Sequence, residues 1–268
     1  MKQTLWSVGF CLALVGLTAN PAKGVTLDFE SLLHGDVVRN QFASSGVTVS
    51  VSNPNESNDM FDLGVIFNAD PLAHPGISDD DLQGPNWSTG NLSTNTVLGN
   101  ILIIQENLNN RPLGSDYETD SSGQVVKITD PLKVDDEGRR PAGSIFFDFT
   151  SNITNFGFDL VDIEQVSADL GAVRFFSDSS SVTPILDIDL NTLLTANSAV
   201  VGNNSINRIA PIDLTGLGAI RRAEVKFGGS GGLDNVTADA VPEPSTVLLM
   251  GSGLAGLAWW RWRRKSSS

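Results

Sequence analysis

The chain has 268 residues, a net charge of −14, 40% hydrophobic and 18% charged residues, and one Cys. An acidic field repels phosphates, so nucleic acid is excluded as a partner of the bulk surface. One Cys excludes a disulfide scaffold, and the hydrophobic share excludes a wholly disordered acidic chain. The charge is unevenly placed. Lys2 and Lys23 flank an apolar N-terminus, and Arg261, Arg263, Arg264 and Lys265 crowd the C-terminus. That leaves 11 basic residues and 30 acids between Val25 and Val241, a net charge near −19. Such asymmetry points to end segments with a role separate from the fold.

Lys2, the uncharged run Leu5–Leu17, then small residues and Pro21 have the order of a secretory signal peptide. It is assigned to residues 1–24, with cleavage after Ala22 or Gly24, and its partner is the secretion machinery. Cys11 lies inside the apolar run, so the exported part has no Cys and must be stable without bridges.

Residues 25–239 read as one exported domain. Val25–Glu30 alternates, with Val25, Leu27 and Phe29 on one face, and Val47, Val49 and Val51 do the same. Leu63–Phe67, Val97–Ile104 and Val125–Ile128 follow as strand-like runs. Ile145, Phe147 and Phe149 alternate, as do Phe156, Phe158 and Leu160. Val173–Phe176, Ile185–Ile188, Arg222–Phe227 and Leu233–Ala238 complete the set, with a short helix expected within Leu190–Ala199. A period of two with polar, Gly-rich punctuation is the pattern of half-buried antiparallel strands. The predicted fold is all-β, a jelly-roll-like β-sandwich. Its longer loops are expected at Asn53–Asp59, Asn86–Asn95, Asn107–Gly123 and Asp135–Gly143.

Catalytic motifs do not hold up. Gly228-Gly-Ser230-Gly-Gly232 fits G-x-S-x-G, but a strand-like run follows it and both His34 and His74 precede it. A nucleophile elbow needs a following helix and a later His, so this is a turn. Asp79-Asp80-Asp81-Leu82-Gln83-Gly84 starts like a calcium loop, but position twelve is Gly90 rather than Glu. It remains a generic acidic loop, as do Asp116, Glu118 and Asp120. No pair of acids stands out for glycoside hydrolysis, so the domain is read as non-enzymatic, with a secreted carboxylate-dependent glycoside hydrolase as the alternative. Trp87 is the one Trp outside the terminal segments, and it is the candidate for stacking on a sugar ring.

The C-terminal segment spans 240–268. Its apolar stretch Val247–Trp260 has 14 residues, about 21 Å as a helix. Ser245–Trp262 gives 18 residues and about 27 Å, a little under the roughly 30 Å hydrocarbon core and acceptable to a thin or slightly deformed bilayer. One short transmembrane helix is therefore expected over about 245–262, with Trp259, Trp260 and Trp262 at the interface. The basic cluster Arg261, Arg263, Arg264 and Lys265 should stay cytoplasmic and place the domain across the inner membrane, on the periplasmic side. Gly251–Gly256 fits G-x-G-x-x-G, but no strand precedes it, and its small residues suit helix contact in a membrane.

Pro242-Glu243-Pro244, then a small-residue-rich apolar helix, then an Arg cluster resembles the PEP-CTERM sorting signal. The resemblance implies processing at Pro242, Glu243 and Pro244 by an exosortase, and delivery to the cell surface or extracellular matrix. It also implies a biofilm or floc setting rich in exopolysaccharide. A permanently membrane-anchored domain with an uncleaved tail is the alternative. Asp28-Phe29-Glu30, Gly99–Glu106 and Leu233-Asp234-Asn235 resemble exported jelly-roll domains and carbohydrate-binding modules. That second resemblance implies a structural Ca²⁺ tying the first strand to the last. Its ligands would be Glu30 and Asp234, with Asp28 on the same strand face as Glu30. It also implies a polysaccharide partner.

Overall fold

The computed structural model describes residues 24–54, 59–72, 79–106, 114–136, 140–163 and 171–241. The signal peptide up to Lys23, the tripeptide 242–244, the membrane helix and the basic tail lie outside the described residues. Among those described, no helix is long and apolar enough to cross a membrane.

In chain order the strands are β1 (Val25–Leu27), β2 (Val47–Ser52), β3 (Gly64–Asn68), β4 (Thr89–Gly90), β5 (Asn100–Ile104), β6 (Tyr117–Thr119) and β7 (Val125–Ile128). Then come β8 (Gly143–Phe149), β9 (Asn155–Val161), β10 (Gly171–Phe176), β11 (Leu186–Asp189), helix α1 (Leu190–Ala196), β12 (Ser205–Asp213), β13 (Arg222–Phe227) and β14 (Gly232–Ala238). One sheet runs β3-β5-β14-β9-β12-β4, with β1 also paired to β14. The other runs β11-β10-β13-β8-β2 and is antiparallel throughout. The two pack face to face as a β-sandwich, and β6 and β7 form a separate hairpin.

Alternation explains the packing. In β8, Ile145, Phe147 and Phe149 enter the core between the sheets. Asp148, on the other face, takes a two-pronged bond from Arg222, whose guanidinium also lies 4.9 Å from the Phe146 ring centroid. From the facing sheet Phe156 enters with its ring 5.7 Å from Phe147, 5.5 Å from Phe158 and 5.8 Å from Phe175. Helix α1 adds Leu190, Leu193 and Leu194, spaced to share one face, and Asp189 caps it by accepting from Thr192 N–H at 3.3 Å.

The structure departs from the sequence reading in four places. First, β5 is buried on both faces. Leu102 and Ile104 join the central core, while Ile101 and Ile103 face outward into a second core with Phe67, Leu82, Trp87 and Val125. Second, β1 stops at Leu27, because Phe29 adopts φ +57°. Asp28 and Glu30 therefore do not share a strand face. They lie in a turn in which Asp28 Oδ1 accepts from Glu30 N–H. Third, β4 and β6 lie inside the expected loops 86–95 and 107–123. Fourth, the nine-residue β12 had no predicted counterpart. Its Pro211 sits where the β12–β9 register shifts, between Ile209 and Ile212, which is where a strand tolerates proline.

The chain is tied down to the end of the described region. Ala240 bridges to Ile153, and Val241 N–H donates to Asn152 O at 2.7 Å.

Candidate metal centre

Three aspartates from two distant segments meet at the edge of the second core. Asp79, Asp135 and Asp136 each place a carboxylate oxygen within 4.8 Å of the others. They are 3%, 2% and 2% exposed. Asp79 begins the stretch that crosses the outer face of the first sheet between β3 and β5. Asp135 and Asp136 follow the turn Pro131–Lys133, which the side chain of Asp130 caps. The Asp135 carbonyl accepts from Glu106 N–H at 2.8 Å, and its own N–H donates to Gln105 Oε1 at 3.3 Å. These bonds pin the pair to the end of β5.

Asp136 Oδ2 accepts from Gly231 N–H just before β14. Gly231 has φ +145°, and a Cβ there would meet Ile163 Cδ1 at 2.8 Å, so glycine is required at this contact. Both oxygens of Asp79 and Oδ1 of Asp136 are buried with no hydrogen-bond partner. Burial, reinforced by the charge of Asp136, pushes the Asp79 pKa up to about 12. Burial and then the charge of Asp162 hold Asp136 well above the usual carboxylate range. Asp81 adds its negative charge against both.

Bare buried carboxylates are costly unless something compensates them. The available donors are all oxygen, with no His or Cys in the cluster, which suits a hard divalent cation. Asp79 also lines an open polar cleft of about 490 Å³. Asp80, Asp81 and Gln83 continue that wall, and Asn86, Ser88, Asn203 and Asn204 complete it. Asn204 fastens the rim. Its Nδ2 donates to Asp81 O at 2.9 Å and Gln83 O at 3.0 Å, and its Oδ1 accepts from Ser88 N–H at 2.9 Å. Its own N–H donates to Asp162 Oδ1 at 2.6 Å.

The residues expected from sequence sit elsewhere, at the seam of β1 and β14. Asp234 faces Asp159 directly across the β14–β9 pair, and Arg208 faces Asp159 from β12. Arg208 grips Asp159 with two bonds of 2.7 and 2.8 Å, and Asn235 Nδ2 bridges both aspartates at 3.0 Å. Burial raises the Asp234 pKa to about 7. Asp159, Glu30 and Asp28 add to the rise, against a bond from Asn235 N–H that lowers it. Asp28, Glu30 and Asp234 thus share one electrostatic neighbourhood. Glu30 Oε1 accepts from Asn100 N–H at 3.0 Å, and Asn100 Oδ1 is buried without a partner.

Trp87 is 2% exposed and donates Nε1–H to Thr96 O at 2.8 Å. It anchors its own loop and offers no free ring face to a sugar. Sequence reasoning noted Asp79–Asp81 as an acidic loop and Asp135 only as a loop boundary. No spacing in the chain links the two.

A family model of the PEP-CTERM protein-sorting motif matches residues 240–265. No curated protein matches the chain. Among solved structures, the chain resembles the K2 cleaved adhesin domain of Lys-gingipain. The identity is 9% and the TM-score 0.37, over 81% of this chain and 99% of that one. The sorting motif marks an exported protein that an exosortase processes, sorted through a membrane-anchored intermediate to the cell surface.

Proposed function

We propose that the exported domain is a non-catalytic extracellular module, built at one end around Ca²⁺ and working in contact with matrix polysaccharide. The observation that carries this reading is the Asp79 carboxylate, with both oxygens buried and unpartnered beside Asp135 and Asp136. A cation on these oxygens ties the loop after β3 to the segment after β7. Through Asp136 and Gly231 it also ties in the start of β14.

Extracellular modules hold Ca²⁺ with Kd of about 10⁻⁴ to 10⁻³ M. At roughly ten times Kd, binding adds about 1.4 kcal/mol of stability. For a domain of this size that is a Tm rise of roughly 2–5 °C. The test is thermal unfolding in millimolar CaCl₂ against NaCl of equal ionic strength. A rise with CaCl₂ alone is expected. Equal rises would reduce the effect to screening of a strongly acidic surface and remove the reading.

A second cation position at Asp28, Glu30 and Asp234 is favoured by the unpartnered Oδ1 of Asn100 beside Glu30. Asp234→Asn should then remove part of the Ca²⁺ response and leave the Asp79 part intact. The competing reading is a carboxylate-dependent glycoside hydrolase. Release of products from glycans that the protein binds would establish the hydrolase and overturn the non-catalytic module.

A further inference from the structure

We infer that the aspartate centre is a closed compartment, that a cation enters and leaves it only when the loop 79–84 lifts, and that Asn204 is the latch on that loop. This rests on the cation reading of Asp79, Asp135 and Asp136. All three residues are at most 3% exposed, and both Asp79 oxygens are sealed from solvent. An ion on them therefore has no open route to water. Asp135 and Asp136 belong to the fixed wall of the compartment. A main-chain bond joins Asp135 to Glu106, and Asp136 takes the Gly231 N–H just before β14. Asp79 belongs to a wall that can move. It alone of the three lines the polar cleft, together with Asp80, Asp81 and Gln83 of the same loop. The loop thus stands between the centre and the cleft.

Asn204, just before β12, clasps this loop. Its Nδ2 donates to Asp81 O at 2.9 Å and Gln83 O at 3.0 Å, and reaches Asp80 O at 3.4 Å. Its Oδ1 accepts from Ser88 N–H, and its own N–H donates to Asp162 Oδ1 just after β9. One side chain therefore joins the loop to the sandwich. The loop has other ties, which are independent of Asn204. Leu82 is buried in the second core, and Gly84 N–H donates to Ala69 O at 3.0 Å. With those in place, release of Asn204 frees residues 79–81 without unfolding the loop. Asn204 has φ +55°, a left-handed position that glycine adopts without strain. Asn204→Gly thus removes the clasp and keeps the turn. A latch steadies the shut loop equally with and without the ion. It sets how fast the ion moves in both directions and leaves Kd unchanged.

The test is stopped-flow release of Ca²⁺ from the purified protein into an excess of fluorescent chelator, alongside the thermal shift in CaCl₂. An open site with Kd of about 10⁻⁴ to 10⁻³ M, filled at about 10⁸ M⁻¹s⁻¹, empties within about 0.1 ms. Release through a rare local opening is expected to be slow enough to follow, over milliseconds or longer. Asn204→Gly should release the ion at least about tenfold faster, for two good hydrogen bonds lost, with the midpoint of the Ca²⁺ titration unchanged. Asn204→Asp keeps the shape but turns the donor amide into an acceptor facing carbonyls, and it should also release faster. Asn203→Ala loses only a 3.3 Å bond to Asp81 Oδ2 and should stay near the parent rate. If the Tm rise is present but the parent empties within the dead time of mixing, the centre is open and the inference falls, while the cation centre stands. Slow release that both Asn204 variants leave unchanged would overturn the latch. So would a glycine variant that shifts the titration midpoint and not the rate. If the Tm rise is absent, the cation reading falls and this inference with it.

Discussion

Asp159 and Asp79 lie on the same side of the same sheet and are equally hidden, at 1% and 3% exposed. Their surroundings are opposite. Asp159 is met by two Arg208 nitrogens and one Asn235 amide, so its charge is answered within the protein. Asp79 is met by Asp135 and Asp136, and its oxygens have no partner. Burial alone therefore does not mark a site. What distinguishes Asp79 is that, among the described residues, its neighbours are acids rather than a cation, so its carboxyl is held protonated until a cation replaces the proton.

This contrast can be broken most forcefully at Arg208. Arg208→Ala should destabilise the protein by about 2–4 kcal/mol in urea unfolding, because it leaves Asp159 buried without its cation. The lower part of that range is expected, since the Arg208 side chain is 57% exposed. A change within measurement error would mean that Asp159 does not need its partner.

Asp79→Asn should act with the opposite sign. Without Ca²⁺ the fold must protonate Asp79, which the unfolded chain leaves ionised at neutral pH, and Asn spares that cost, so the variant should be more stable by about 1–2 kcal/mol. In millimolar Ca²⁺ the advantage should vanish, because the variant no longer gains from the ion. A variant that is less stable than the parent in EDTA would count against the contrast.

Asp234 adds a pH test. Its carboxyl is raised from 3.8 to about 7 in the fold. Between those values the folded chain keeps a proton that the unfolded chain has released. Stability in EDTA should therefore fall as pH rises from about 4 to 7. Asp234→Asn should flatten that slope, and an unchanged slope would assign it to other groups.

The smallest effect is expected at Trp87. Trp87→Phe loses the bond to Thr96 O, about 1 kcal/mol, and should leave the Ca²⁺-induced rise in Tm unchanged. Loss of that rise in a folded variant would tie Trp87 to the cation centre.

Much of the architecture was legible as alternation. β2, β8, β9, β10 and β13 each carry apolar residues at every second place, and each lies where that pattern predicts. β12 was not legible, because Ser-Ile-Asn-Arg-Ile-Ala-Pro-Ile-Asp breaks its period at the bulge and contains a proline. The second core was hidden for a related reason. A strand buried on both faces, such as Asn-Ile-Leu-Ile-Ile, reads as a plain apolar run and does not say what covers its outer side. The metal centre was the least legible part. Asp79 and Asp136 are joined by the fold, through β5 and the start of β14, and each alone is one acid among many. The seam of Asp28, Glu30 and Asp234 was reached only through resemblance. There Arg208 holds Asp159 and Asn235 bonds both Asp159 and Asp234.

The position of β14 has a consequence for the order in which the domain is made. This strand precedes the sorting motif, yet it lies inside its sheet, with β5 and β1 along one edge and β9 along the other. Until residues 232–238 have been synthesised, the sheet has a gap in its middle and its two halves, β3-β5 and β9-β12-β4, cannot join. Strand pairings this distant in sequence form slowly in any case. The segment whose arrival completes the sheet is the same one that brings the sorting motif behind it, so completion of the fold and readiness for sorting arrive together.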